Sequence, residues 1–335
     1  MQTVPDIFQP TAFWSTFQQQ NYKQILAGGL ENFKRTINQN YFNWIPTSPD
    51  DNQFRALLRL TAEFPSVEAF GAEIGDTKNL SSYFAESPLE TSNDRELYRI
   101  FVGMLWQYTK LSYPNGLIEA LDEPTTGNPI PVHLRGKLIS QDVANSIRER
   151  NVIAWRWEPD FEAGRKISLV EIGAGYGRLA YVFLRSAPVR YFIIDIPPAL
   201  FVSQWYLSKL FTNKSIFKFR PWSDYDFIAT EIDQADIAFL TPDQFSKLPD
   251  QYFHAGFTIS SLAEMTHKQA NMYLDLLSRK VRHEVYIKQW IESTNTLDGA
   301  SFQRSDFDMS NLWKKTLDRV DTVQDRFFET LWVPN

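Results

Sequence analysis

Apolar residues recur at helical spacing through the first third of the chain, from Gln18 to about Tyr113. The clearest stretch is Leu97, Ile100, Phe101, Met104, Leu105 and Tyr108, the stripe of one amphipathic helix. Ser92 or Asn93 can cap its start, and Pro114-Asn115-Gly116 stops it. Weaker patterns predict helices over 21–38 and 53–64. The segment 122–135, with its prolines and Gly127-Asn128, reads as loop, and a helix capped by Ser140 is expected over 140–149.

Past Arg150 the pattern changes to short apolar runs alternating with amphipathic segments. Strands are expected at 167–172, 191–195, 237–240, 257–260 and 284–288. Helices are expected at 178–185, 198–211 and 268–282, and 313–320 with 326–333 reads as a closing antiparallel pair, the first also compatible with a helix. Strand and helix in alternation imply a mostly parallel sheet covered on both faces. The expected fold is therefore α/β: a Rossmann-like sheet, mostly parallel, over 151–335, with an antiparallel C-terminal strand, preceded by a mainly helical N-terminal domain over 1–150.

Composition narrows the function classes. The 335 residues include 34 Lys plus Arg and 40 Asp plus Glu, a net charge of −6 that offers no general attraction for nucleic acid or an anionic membrane. With no Cys, thiolate chemistry and Cys-ligated metals are excluded. No run approaches the roughly 18 apolar residues of a membrane span and no leader is evident, so a cytoplasmic protein is expected. Oligomeric state, including a homodimer, is left open.

The candidate chemistry sits at the first strand-to-helix turn, Gly173-Ala174-Gly175-Tyr176-Gly177. Asp195 closes the next strand, where a carboxylate can accept from ribose hydroxyls. The third glycine comes one residue earlier than in the dinucleotide fingerprint, and Glu171 lies just before the turn. A carboxylate there would repel a diphosphate and favour the cationic sulfonium of S-adenosylmethionine. A nicotinamide dehydrogenase is accordingly the more distant alternative.

Val170 to Gly177, Ile193-Ile194-Asp195-Ile196-Pro197 and Ser260-Ser261-Leu262-Ala263-Glu264-Met265 together resemble the sugar O-methyltransferase family of S-adenosylmethionine-dependent enzymes. The likeness extends upstream to Gly127-Asn128-Pro129 and to Ser140-Gln141-Asp142 with Ala144-Asn145-Ser146, covering roughly residues 125–290. It implies that residues 151–335 are a Rossmann-like methyltransferase sheet and residues 1–150 a helical cap or substrate domain, with S-adenosylmethionine as cofactor and a small-molecule acceptor, a sugar or other secondary metabolite as the class.

Ligands of open α/β sheets bind at the carboxyl ends of the strands. That rule adds Thr241, Asp243, Gln244 and Ser260 to Glu171, Gly173, Gly175, Gly177 and Asp195 as cofactor candidates, with Asp142 reaching in from the helical region. Glu264 is the candidate base, with His267 and His133 as alternatives. Asn145, Ser261, Lys288 and Trp290 are candidates for the acceptor pocket. Asp142 and Asn145 share one helix face, as residues three apart do. His254 and His283 precede the fourth and fifth strands and so belong at the opposite end. No histidine pair has metal-ligand spacing, and no metal is expected. The same residues leave room for methylation of a carboxylate or polyketide hydroxyl, or for a non-catalytic module that only binds the nucleoside.

Overall fold

The computed structural model describes residues 4–36, 48, 50–60 and 92–335. The chain divides into two compact units: Met1–Tyr22, Trp155–Asp321 and Arg326–Asn335 form one, Lys23–Ala154 and Thr322–Asp325 the other. Compared with a cut at residue 150, the first 22 residues go with the sheet and a four-residue piece near the C-terminus goes with the helices.

In the helical unit, the helix Ser92–Ser112 buries Leu97, Ile100, Phe101, Met104 and Leu105, and Phe101 meets Phe54 of the helix Asn52–Leu60 at 5.3 Å. Tyr108, at the end of the expected stripe, is only half-buried. The expected capping side chains at Ser92 and Asn93 lie outside the described residues, as does the end of the helix expected over 53–64. Instead of one helix over 21–38 there are two, Ala12–Gly28 and Phe33–Thr36, with the chain turning at Gly29; residues 37 and 38 are not described. The segment expected as loop contains one arm of a hairpin, β1 (Val132–Leu134) against β2 (Lys137–Ile139), because Arg135-Gly136 supplies a two-residue turn with positive φ at both positions. Ser140 caps the next helix, Gln141–Ala154: its Oγ accepts from the Val143 amide at 3.0 Å and donates to Glu123 Oε2 at 2.6 Å. Glu123 in turn pairs with Lys34, and both are buried.

The sheet unit is built on eight strands. They are β3 (Ile167–Ile172), β4 (Val189–Ile194), β5 (Ile216–Phe217), β6 (Ile237–Leu240), β7 (Phe253–Ile259), β8 (Val281–Trp290), β11 (Trp313–Val320) and β12 (Phe327–Pro334). Two short strands, β9 (Glu292–Asn295) and β10 (Ala300–Gln303), form a separate antiparallel hairpin. The spatial order is β11-β12-β8-β7-β3-β4-β6-β5, parallel from β5 through β8 and antiparallel at β8–β12 and β12–β11. This is a Rossmann-like α/β sheet with a reversed strand inserted near one edge.

All six residues of β3 are buried, as expected for a central parallel strand covered on both faces. Helices Arg178–Ser186, Pro197–Leu210 and His267–Lys280 supply much of that cover. One layer joins Val170, Ile172, Phe192, Ile194, Leu240, Val285 and Ile287 to Leu274 and Leu277. Among the pieces that pattern did not predict, β5, the helix Ala229–Gln234 and the β9–β10 hairpin are too short or too polar to carry a periodic signal.

Candidate functional site

The strand order places the ends of β6, β4, β3, β7 and β8 side by side, and the backbone extends the pairing one residue beyond each strand. The Gly173 amide donates to Ile194 O at 2.9 Å, Asp195 to Leu240 O at 3.2 Å and Ser260 to Lys288 O at 2.8 Å. The segments that follow these strands therefore begin in register.

Gly173, Gly175 and Gly177 all have positive φ. At Gly173 a side chain is excluded twice, by φ +74° and by Ser261, whose Cβ would lie 2.4 Å from an added Cβ. Gly177 starts the helix Arg178–Ser186 with φ +86°, and a Cβ there would press on Leu207 Cδ1 at 2.9 Å. The turn thus exposes backbone where side chains would otherwise stand.

Asp195 closes this turn from the neighbouring strand. Its Oδ2 accepts from the Gly175 amide at 2.8 Å and its Oδ1 from the Ile196 amide at 2.7 Å. Burial nevertheless pushes its carboxyl up to about 7, against those two amides. Across from it, burial and then the charge of Asp195 push Glu264 up to about 8. Glu264 follows β7 in a short turn, Leu262–Glu264, and its carboxylate has no hydrogen-bond partner among the described residues. Tyr273, buried on the helix His267–Lys280, is raised by its burial and by the same Asp195 charge. Nothing in the pattern singled out Tyr273, which reads as an ordinary apolar-face residue of its helix.

Ser260, at the end of β7, holds a left-handed φ of +52° without being glycine. Such backbone strain concentrates at functional sites.

Several candidate residues are committed to the protein itself. Glu171 is buried and accepts from the Tyr191 hydroxyl. The Gln244 side chain accepts from the Thr241 amide at 3.1 Å and donates to Arg220 O at 2.8 Å, and Asp243 pairs with Lys247 at 2.7 Å. Ser261 is buried, donates to Ile172 O at 3.2 Å and lies 2.8 Å from Thr258 Oγ1. That clamps the glycine turn to β7, a packing role where an acceptor contact was expected. Lys288 is withdrawn from solvent in a buried ion pair with Asp321 at 2.8 Å, so its charge is answered inside the fold. Trp290 packs against Phe327, the ring centroids 4.4 Å apart and the rings tilted by 39°. His267 begins its helix with Nε2 2.9 Å from Ser301 O and its ring 4.2 Å from Phe302, both on β10.

His133, Asp142 and Asn145 belong to the helical unit. His133 is exposed on β1, Asp142 is buried in the first turn of its helix, and Asn145 accepts from Arg148 at 3.2 Å while its Nδ2 is buried without a partner. His254 and His283 lie at the starts of β7 and β8, both against Trp157. Among the described residues no group of three His, Asp or Glu could hold a metal ion, and no helix is long and apolar enough to cross a membrane.

Two carboxylates raised together, one with no hydrogen bond, make a setting that a cationic ligand would relieve. The remaining lone pairs of Asp195 can accept hydroxyl donors, since an ionised carboxylate offers about four acceptor positions. No family model matches the chain, and no curated protein matches it. Among solved structures it is similar to magnesium protoporphyrin IX methyltransferase from Synechocystis PCC 6803 with bound SAH, at 12% identity and a TM-score of 0.40, over 58% of this chain and 86% of that one. It is also similar to a SAM-dependent methyltransferase from Aquifex aeolicus, at 13% identity and a TM-score of 0.34, over 58% of this chain and all of that one. The assignment of the Rossmann-like fold rests on the strand order and directions of this chain's own sheet.

Proposed function

We propose that this protein is an S-adenosylmethionine-dependent methyltransferase that acts on a hydroxyl of a small acceptor. One observation carries the reading: two carboxyls that follow β4 and β7, Asp195 and Glu264, border the glycine turn together, with Glu264 raised by burial and then by the charge of Asp195. The residues fit the cofactor. The turn admits close approach of a nucleoside, Asp195 can take the ribose hydroxyls, and two carboxylates attract a positive sulfur where they would repel a diphosphate.

When bound, S-adenosylmethionine supplies an electrophilic methyl carbon on a cationic sulfonium. The chain's own contribution is to hold the acceptor oxygen in line with that methyl, at about 3–3.5 Å, and to take its proton. An alcohol does not ionise unaided at neutral pH, so a base within hydrogen-bond reach is required. Glu264 is assigned that role because its carboxylate is unspent and its raised pKa lies near the range where a base is most effective. His267, tied to Ser301 and Phe302, is assigned to the scaffold. The acceptor class, a sugar or other secondary-metabolite hydroxyl, comes from the sequence resemblance.

Titration calorimetry with S-adenosylmethionine, S-adenosylhomocysteine and NAD tests the reading directly. Saturable binding of the first two and none of NAD is expected. Binding of NAD alone would overturn it.

A further inference from the structure

The turn that carries Glu264 is held from outside by the first residues of the chain. The Glu264 carbonyl accepts from Thr11 Oγ1 at 3.3 Å and from Asn295 Nδ2 at 3.2 Å. Thr11 also begins the helix Ala12–Gly28, its Oγ1 accepting from the Trp14 amide at 3.3 Å. Asp298 accepts from the Ala12 and Phe13 amides at 2.8 and 3.0 Å, and from Asn295 Nδ2 at 2.8 Å. Further along, Gln269 Nε2 donates to Ile7 O and Gln9 O at 3.3 and 2.8 Å, and Gln269 also closes the cap of the helix that starts three residues after Glu264. Thr11, Asn295 and Gln269 are all buried.

Two of these bonds join three stretches far apart in sequence, the N-terminal segment, the post-β7 turn and β9, at one carbonyl. Nothing about the fold of the sheet requires them, because the turn already closes through its own bonds, Glu264 N to Ser261 O and Met265 N to Leu262 O. A backbone hydrogen-bonded on both sides of a side chain fixes the direction in which its Cα–Cβ bond leaves the chain, and so the region its rotamers can reach.

We infer that residues 5–14 form a positioning strap for Glu264, with Thr11 and Asn295 as the positioning residues that set its carboxylate at the cofactor site. The inference rests on the proposed function for its consequence but not for its structure. Of Glu264, Thr11 and Asn295 touch the backbone carbonyl, and they act on the side chain through it.

Two measurements on Thr11→Val and Thr11→Ser decide it, neither needing the acceptor. The first is hydrogen exchange of the free protein. Thr11→Val is expected to raise exchange at the Glu264 and Met265 amides about tenfold, and Thr11→Ser, which keeps the hydroxyl, to leave it near wild type. The second is the ratio of S-adenosylmethionine to S-adenosylhomocysteine affinity by calorimetry. The two ligands differ by a methyl and a positive charge, so the ratio reads the nearby carboxylate; Thr11→Val is expected to lower it about threefold or more, with rescue by Thr11→Ser. Unchanged exchange in Thr11→Val overturns the strap. Faster exchange with an unchanged affinity ratio overturns its action on the carboxylate. If the wild type binds neither ligand, the proposed function fails and the positioning of a cofactor-site carboxylate falls with it, whereas a failure confined to Thr11→Val leaves that function standing.

Discussion

A Cβ placed on Gly173 would lie 2.4 Å from Ser261 Cβ and 2.6 Å from its Oγ. The two residues end neighbouring parallel strands, and Ser261 uses its hydroxyl on Ile172 O, so neither side can retreat without breaking that bond. Gly173→Ala is expected to destabilise the protein by about 2–4 kcal/mol, from left-handed backbone cost and overpacking together. A thermal melt within a degree of wild type would show that the turn has room.

Asp195 holds the turn and the proposed ribose site at once. Asp195→Ala is expected to weaken S-adenosylmethionine binding by about 1.5–3 kcal/mol, the scale of hydrogen bonds to a charged acceptor. Calorimetry with unchanged affinity would remove Asp195 from the site.

Glu264→Gln is expected to keep S-adenosylhomocysteine affinity near wild type and lower turnover by about 10²–10⁴, the usual yield of a general base. A variant that turns over normally, once an acceptor is found, eliminates the role. A carboxylate acceptor, already ionised, would leave the rate insensitive to this substitution. Stability gives a second check. The Glu264 pKa is raised to about 8, so the folded state holds its proton more tightly and loses stability as pH rises from the ordinary carboxyl range through 8. Melting of Glu264→Gln is expected to decline less than wild type over that window.

At the other end of the sheet the sign reverses for a histidine. Burial, then the charges of His283 and Arg282, hold the His254 pKa below its ordinary value. The stability tied to neutral His254 is therefore present above about 6.5 and lost as pH falls below it. Neighbouring Glu284, pushed up to about 8 by burial, contributes in the opposite sense, losing stability as pH rises. In denaturant titrations at pH 7.5 and 5.5 the stability of His254→Asn relative to wild type is expected to be higher at pH 5.5 than at 7.5, because the variant lacks this loss; an unchanged offset between the two proteins would assign the acid loss elsewhere.

Lys288→Met separates a structural lysine from a substrate-binding one. Asp321 would lose Lys288 from a buried pair, and a loss of about 3–5 kcal/mol is expected, as when one partner of a buried pair is removed. A variant of normal stability but altered substrate preference would return Lys288 to the acceptor pocket.

The alternation of short apolar runs with amphipathic segments was enough to place β3 and β6, because a parallel strand covered on both faces demands a continuous apolar run. The glycine turn and Asp195 were legible for a similar reason: positive φ and a strand-end carboxylate each restrict residue type locally. Local pattern carries no information about which side chains meet across the fold. Lys288 reads as a strand-end lysine until Asp321 is brought to it from 33 residues later, and Ser261 reads as a loop serine until Gly173 lies under it. Thr11 and Asn295 are ordinary polar residues in the sequence, and only the tertiary structure brings both to the carbonyl of Glu264. Backbone conformation and burial period are properties of a few consecutive residues, whereas charge pairing, hydrogen-bond partnership and pKa depend on neighbours that the chain supplies from anywhere along its length.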